Sequence, residues 1–319
     1  MAPATDTPAP SRRSGTQTLG VLTMVDLGNL LTAMVTPLTP EGAVDFDRTA
    51  EFAVRLVETG SDGLVVAGTT GESATLTAEE KLDLFRCVID AVGDRTTIVA
   101  GTGDNETQWT IDFTREASKL DIDAVMLVGP YYNKPSQEGL YRHFEAGAAA
   151  TELPVIAYNV PTRTSKNIET DTILRIAEIG NVVAVKEASG DMKQISDICR
   201  RKPDDFLVYS GDDPMTLPML ALGGRGVISV ISNVEGRKTQ EMVAAFHAKD
   251  TARATALHHE LTPLCEVCFL ESGNPSCAKR ALEVCGFPVG GVRLPLVEAS
   301  EKDTARIRVV CERMGLIGA

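Results

Sequence analysis

The chain has 319 residues, 43% of them hydrophobic and 24% charged, enough apolar material for a large core. A formal net charge of −13 and a pI of about 4.9 argue against a nucleic-acid or anionic-membrane partner. Seven cysteines (Cys87, Cys199, Cys265, Cys268, Cys277, Cys285, Cys311) are too sparse and irregular for a disulfide framework and read as reduced thiols in a cytosol.

The first stretch, MAPATDTPAPSRRSGTQTLGVLTMV, is rich in Ala, Pro, Thr and Ser and carries Arg12 and Arg13 with no sustained apolar run behind them. Residues 1–27 are therefore expected to form a disordered or weakly ordered extension, with an organelle-targeting segment as the alternative and Met24 as a second candidate start. No window reaches the ~18 continuous apolar residues that a membrane helix needs.

Eight short apolar, β-branched runs follow at fairly regular intervals. They are LLTAMVTP (30–37), GLVVAGTTGES (63–73), TIVAGTG (97–103), AVMLVGPYY (124–132), VIAYNVPTR (155–163), VVAVKEASG (182–190), FLVYSGDDP (206–214) and GVISVISN (226–233). Helical patterns lie between them. Thr77-x-x-Glu80 is a capping box, after which Leu82, Phe85, Val88, Ile89 and Val92 are expected on one face. In QWTIDFTREASKL the expected core positions are Ile111, Phe113, Ala117 and Leu120. Eight buried strands alternating with helices predict an α/β fold, a (β/α)8 TIM barrel over residues 28–248, with a doubly wound sheet as the alternative. After about Asn233 the strands stop, and residues 249–319 are expected to form an appended C-terminal helical region.

In such barrels the reacting groups collect at the C-terminal ends of the strands. Here those ends carry Gly68-Thr69-Thr70-Gly71-Glu72-Ser73, Tyr131-Tyr132-Asn133, Tyr158 through Arg163, Lys186-Glu187 and Ser210-Gly211-Asp212-Asp213. Lys186 closes an apolar strand, where an ammonium is costly to desolvate and the neutral amine is a nucleophile toward ketones and aldehydes. A structural ion pair is the competing reading, but adjacent strand residues face opposite ways, so Glu187 is a poor partner. The GTTGES loop offers hydroxyl and N–H donors to a carboxylate or phosphate without being a Walker loop, and could equally be a plain turn. Three of the five tyrosines, Tyr131, Tyr132 and Tyr158, lie at strand ends, where a phenol can pass protons. Arg163 suits a substrate carboxylate or a surface salt bridge. The four histidines (His143, His247, His258, His259) fall in predicted helices without a metal-ligand pattern, and the lone Cys265-x-x-Cys268 reads as free helix thiols. A lysine-based, metal-free mechanism is what remains.

Taken together, GTTGES, PYYNKPSQEGLYRHF, YNVPTRT, VKEASGD, SGDDP and GVISV resemble the dihydrodipicolinate synthase branch of the class I pyruvate-dependent aldolase and lyase superfamily, over nearly the whole chain from about Gly28. The resemblance implies condensation of pyruvate with L-aspartate-4-semialdehyde to 4-hydroxy-tetrahydrodipicolinate, on the way to diaminopimelate and lysine, in the cytoplasm. By motif, Lys186 would form the Schiff base and Tyr158 would be the adjacent proton donor and acceptor. Thr69 and Tyr132 would complete a proton relay, with Tyr132 reaching into a neighbouring subunit of a dimer-of-dimers homotetramer. Thr70 would hold the pyruvate carboxylate, Arg163 the carboxylate of the semialdehyde, and Gly211 and Ile228 would line the pocket through their backbones. No cofactor is implied beyond the covalent imine.

Two departures stand out: Ser165, where the family often has glycine, and SGNPSCAKRAL, where better-known members are proline-rich. At the positions that match the family's lysine-inhibition pocket stand Ala78, Lys81 and Trp109, while Ser73, Asn105 and Tyr131 remain, so inhibition by lysine is expected to be weak or absent. Two other activities stay open on sequence grounds, a sibling lyase cleaving a sialic acid or 2-keto-3-deoxy sugar acid, and an inactive binding barrel.

Overall fold

The computed structural model describes residues 25–317. Most of the expected N-terminal extension, with Met24, lies outside the described residues.

Eight strands carry the core: β1 (Leu30–Ala33), β2 (Gly63–Val66), β3 (Thr97–Gly101), β4 (Ala124–Val128), β5 (Val155–Asn159), β6 (Val182–Glu187), β7 (Leu207–Ser210) and β8 (Gly226–Ser229). Helices follow each in turn: α1 (Phe46–Glu58), α2 (Ala78–Val92), α3 (Thr107–Ala117), α4 (Gln137–Ala148), the short α5 (Pro161–Thr164) with α6 (Thr170–Ala177), α7 (Met192–Arg201), α8 (Thr216–Ala221) and α9 (Gly236–His247). Three more close the chain: α10 (Thr251–Val267), α11 (Ser276–Val284) and α12 (Glu301–Arg313). The strands pair in parallel and in sequence order, and β1 pairs with β8 to close the barrel. The fold is a (β/α)8 TIM barrel with appended C-terminal helices. Residue 248, where the barrel is expected to give way to those helices, falls between α9 and α10.

Both faces of each strand are covered, so the strands read as continuous apolar runs instead of alternating ones. Alternate residues nonetheless go to different cores. Leu31, Val65, Val99, Met126, Ile156, Ala184, Leu207 and Ile228 fill the barrel interior, while Leu30, Leu64, Ile98, Val125, Val155, Val185, Val208 and Val227 pack under the helices. At Gly226 a Cβ would lie 1.8 Å from the Asn29 carbonyl oxygen, so β8 closes against the start of β1 only with glycine there.

Several runs overshoot their strands. The second ends as strand at Val66, because Ala67 turns at a φ of +52° and the GTTGES segment becomes loop. The Thr77–Glu80 capping box forms in both directions. In α2 the buried face is Lys81, Leu84, Phe85, Val88 and Val92, whereas Leu82 and Ile89 are only half-buried at its edge. The expected stripe therefore sits rotated, because the packing of α2 on its neighbours brings in Leu84. In α3, Phe113 and Ala117 are buried, but Ile111, and Leu120 in the turn after the helix, are half-exposed. Thr110 and Thr114 take their places, since Thr110 Oγ1 donates to the Glu106 carbonyl and Thr114 Oγ1 to Thr102 Oγ1, which satisfies the buried hydroxyls.

Candidate active site

Lys186 is the penultimate residue of β6, two positions after the inward Ala184, and so points into the barrel. Its register partners are Tyr158 on β5 and Tyr209 on β7. Its Nζ lies 4.3 Å from the centroid of the Tyr158 ring, and the side chain is 4% exposed. Burial pulls the ammonium down to about 8; the nearby Asp213 charge works against that shift and Arg163 adds to it. Glu187 turns to the other face, where its oxygens accept from Asn159 Nδ2 at 2.9 Å and from the Ser189 N–H at 2.6 Å. The opposite-face argument from the sequence describes this geometry.

Asp213 is buried. Its carboxylate accepts from the Ser229 hydroxyl and from the N–H groups of Val230 at 2.9 Å and Ile231 at 3.3 Å. Those bonds compensate for part of the desolvation of a buried carboxylate and fix its charge near Lys186. Gly211 lies against the lysine itself: a Cβ there would stand 3.1 Å from Lys186 Cγ and 2.7 Å from Ala188 Cβ. Ile228 is 1% exposed and packs in the interior cluster with Tyr158.

Beside Tyr158 opens a cavity of about 560 Å³. Thr69, Tyr158 and Arg163 stand on its wall, with Asn274 and Pro275 from the loop before α11. Tyr158 is held as a neutral phenol: burial pushes it up to about 12, against the opposing pull of Arg163 and of a hydrogen bond with the Thr69 hydroxyl. Arg163 sits in α5, and the following Ser165 takes a φ of +58°, the left-handed region where glycine is at ease. That accounts for the glycine habit noted at this position. The cavity lining also includes Ser73, Ala78, Lys81, Asp104, Trp109 and Tyr131. Lys81 Nζ lies 4.7 Å from the Trp109 ring centroid and 5.5 Å from that of Phe113.

The residues singled out from the sequence thus separate into three groups. Thr69, Tyr158 and Arg163 line the cavity; Lys186, Gly211, Ile228 and Thr70 are off that lining, although Lys186 Nζ lies 4.3 Å from the centroid of the lining Tyr158 ring and Thr70 is only 3% exposed. Tyr132 stands apart from both. It is 88% exposed at a φ of +73° and lies off the cavity wall. Sequence reasoning missed Asn274 and the buried pair Glu72–Lys279, whose side chains come from the C-terminal helices and from the loop after β2. The Asn-Pro dipeptide was a turn signal, but nothing local connects it to a loop two hundred residues upstream.

Comparison with known proteins gives one answer. The model of the Dihydrodipicolinate synthetase family matches residues 26–313. A 4-hydroxy-tetrahydrodipicolinate synthase of Moorella thermoacetica is 56% identical over 91% of this chain and 99% of its own length. That of Heliobacterium modesticaldum is 51% identical over 92% and 97%. Among solved structures, a dihydrodipicolinate synthase from Bacillus anthracis superposes with a TM-score of 0.88 at 46% identity, covering 91% of this chain and 99% of that one.

Proposed function

The chain belongs to the dihydrodipicolinate synthetase family, and on that footing we propose how its residues divide the work. The reaction is the condensation of pyruvate with L-aspartate-4-semialdehyde to 4-hydroxy-tetrahydrodipicolinate, a lyase step of diaminopimelate and lysine biosynthesis. Lys186 in its neutral form attacks the keto carbon of pyruvate, and the carbonyl oxygen leaves as water. The imine nitrogen then serves as the electron sink, so this scheme calls for no added cofactor. Loss of a methyl proton gives the enamine, whose carbon attacks the aldehyde while the aldehyde oxygen takes up a proton. The amine of the condensed product finally attacks the imine carbon, closes the ring and releases Lys186. Tyr158 handles the protons at the imine, and Thr69 and Tyr132 pass them to solvent. Thr70 holds the pyruvate carboxylate with its hydroxyl and backbone N–H, Arg163 holds the semialdehyde carboxylate, and Gly211 and Ile228 line the site.

The observation that carries this assignment is the inward, buried Lys186, pulled down to about 8 and seated 4.3 Å from the Tyr158 ring centroid. An amine poised near neutrality beside a protonated phenol suits carbonyl addition, which needs a free lone pair and then a proton for the departing water. The exposure of Tyr132 supports a role in a partner's site, within a homotetramer built as a dimer of dimers. No helix of the described residues is long and apolar enough to cross a membrane, and a cytoplasmic location fits a biosynthetic enzyme.

Borohydride trapping tests the assignment. After incubation with pyruvate and reduction, intact mass and peptide mapping are expected to find one reduced pyruvate per chain, on Lys186. Folded protein that yields no adduct would overturn it.

A further inference from the structure

We infer that Asn274, on the loop between α10 and α11, is a positioning residue that orients the donors for both substrate carboxylates; this rests on the roles proposed above for Thr70 and Arg163. Asn274 is 6% exposed and stands on the cavity wall beside Arg163. Its Nδ2 donates to Thr70 Oγ1 at 2.9 Å, across 204 residues of sequence. Its backbone carbonyl accepts from Arg163 Nη2 at 3.3 Å. Among the described residues its Oδ1 has no hydrogen-bond partner, so the bond to Thr70 is the one that the amide makes there.

A threonine hydroxyl has one hydrogen to give and two lone pairs to offer. With one lone pair filled by the Asn274 amide, the Thr70 hydrogen is free for another acceptor. Within the loop, the N–H groups of Gly71, Glu72 and Ser73 close the turn onto Gly68 and Thr69 carbonyls, and the Thr70 hydroxyl takes no part in that network. The side chain that fixes the hydroxyl therefore comes from outside the barrel. Fixing it in advance removes an ordering cost from binding. The two functions of Asn274 also use different atoms. Truncating the side chain removes the hold on Thr70 and leaves the carbonyl that anchors Arg163.

The test is steady-state kinetics on the full chain with Asn274→Ala, Asn274→Asp, Thr70→Val and the double variant Thr70→Val/Asn274→Ala. Asn274→Ala is expected to raise the KM for pyruvate about tenfold, the worth of one hydrogen bond to a charged-ligand donor. The KM for the semialdehyde is expected to stay within about twofold, because the backbone carbonyl remains. A merely structural role would move both constants and kcat together. Asn274→Asp keeps the volume but offers only acceptors, so it draws the Thr70 hydrogen to itself and raises the pyruvate KM at least as much. This variant carries the test if the alanine variant folds poorly. In the Thr70→Val background, Asn274→Ala is expected to cost nothing further, since it acts through the missing hydroxyl. An unchanged pyruvate KM in both Asn274 variants, or full additivity in the double variant, would sink the inference while leaving Thr70 as a carboxylate donor. If Thr70→Val itself leaves the pyruvate KM unchanged, the role of Thr70 falls and the inference falls with it. Borohydride trapping at Lys186 reports separately on whether the Schiff-base chemistry stands.

Discussion

Lys186 and Tyr158 show how one environment acts oppositely on a base and an acid. Burial favours the uncharged form of both, so the amine is pulled down to about 8 and the phenol pushed up to about 12. About one Lys186 in a hundred is then neutral at pH 6 and about half at pH 8. The initial rate of imine trapping at low pyruvate is expected to climb roughly tenfold per pH unit below about 8 and to level off above it. A flat profile between pH 6 and 9 would show that the lysine is not poised as described. The second prediction at this scale concerns Lys81. Burial works against its ammonium, Asp104 supports it, and its Nζ lies over the Trp109 and Phe113 rings at the cavity lining. A fixed cation there repels a second one, which supports weak or absent inhibition by free lysine. Half-inhibition at submillimolar lysine, measured with both substrates near their KM, would contradict it.

The loop after β2 illustrates what elements lend one another. Two non-glycine residues in the left-handed region, Ala67 at +52° and Glu72 at +60°, bracket Thr69 and Thr70. Such conformations persist only when the surroundings over-determine them. Glu72 Oε1 pairs with Lys279 Nζ at 2.6 Å, both side chains almost fully enclosed, and Glu72 Oε2 accepts from the Arg293 N–H at 2.9 Å. Lys279 also donates to the Gly291 carbonyl, and the Arg293 guanidinium reaches the Thr75 carbonyl and Glu80, whose carboxyl it holds at about 2. The segment after the barrel, through Lys279 of α11 and Arg293 of the stretch before α12, therefore clamps the loop that carries both threonines. Lys279→Met is expected to cost about 3 kcal/mol in urea unfolding, because Glu72 is left as an uncompensated buried charge. Adding Glu72→Gln should recover part of that loss, as the double variant removes both charges. Equal stability of Lys279→Met and the parent would show that the pair is not a clamp.

At the scale of the whole molecule, one chain supplies the buried lysine and the cavity lined by its neighbour Tyr158, but leaves Tyr132 pointing outward at 88% exposure. If its hydroxyl serves a neighbour's site, subunits with different defects can repair each other. Lys186→Ala and Tyr132→Phe are each expected to be nearly inactive alone. After mixing, dissociation and reassembly, a mixed dimer would contain one site with both an intact lysine and an intact tyrosine, and activity should return to about a quarter of the parent's on statistical pairing. No recovery, with exchange verified by mass spectrometry, would place the relay within a single subunit.

Much of this enzyme is legible in its sequence because the signals are local. Strand runs, helix periodicity and the Thr77–Glu80 cap depend on residues a few positions apart, and barrel closure follows from repeating one unit eight times. Lys186 declared itself for the same reason, as a charge at the end of an apolar strand whose inward face follows from a period of two. The rotation that puts Leu84 in place of Leu82, and the buried threonines of α3, could not be read that way, since the neighbouring elements choose which residues at the edge of a stripe are covered. Asn274 with Thr70, Lys279 with Glu72, and Asp213 near Lys186 lay further still from view. Each is a polar group held in the interior only by partners elsewhere in the chain: for Asp213 they meet once the barrel has closed, and for Thr70 and Glu72 once the segment after the barrel has docked on it. The sequence by itself determined the barrel and the lysine that ends its sixth strand facing inward; the tertiary structure decided which distant side chains hold Thr70 and Glu72 in place and how far the lysine is pulled toward neutrality.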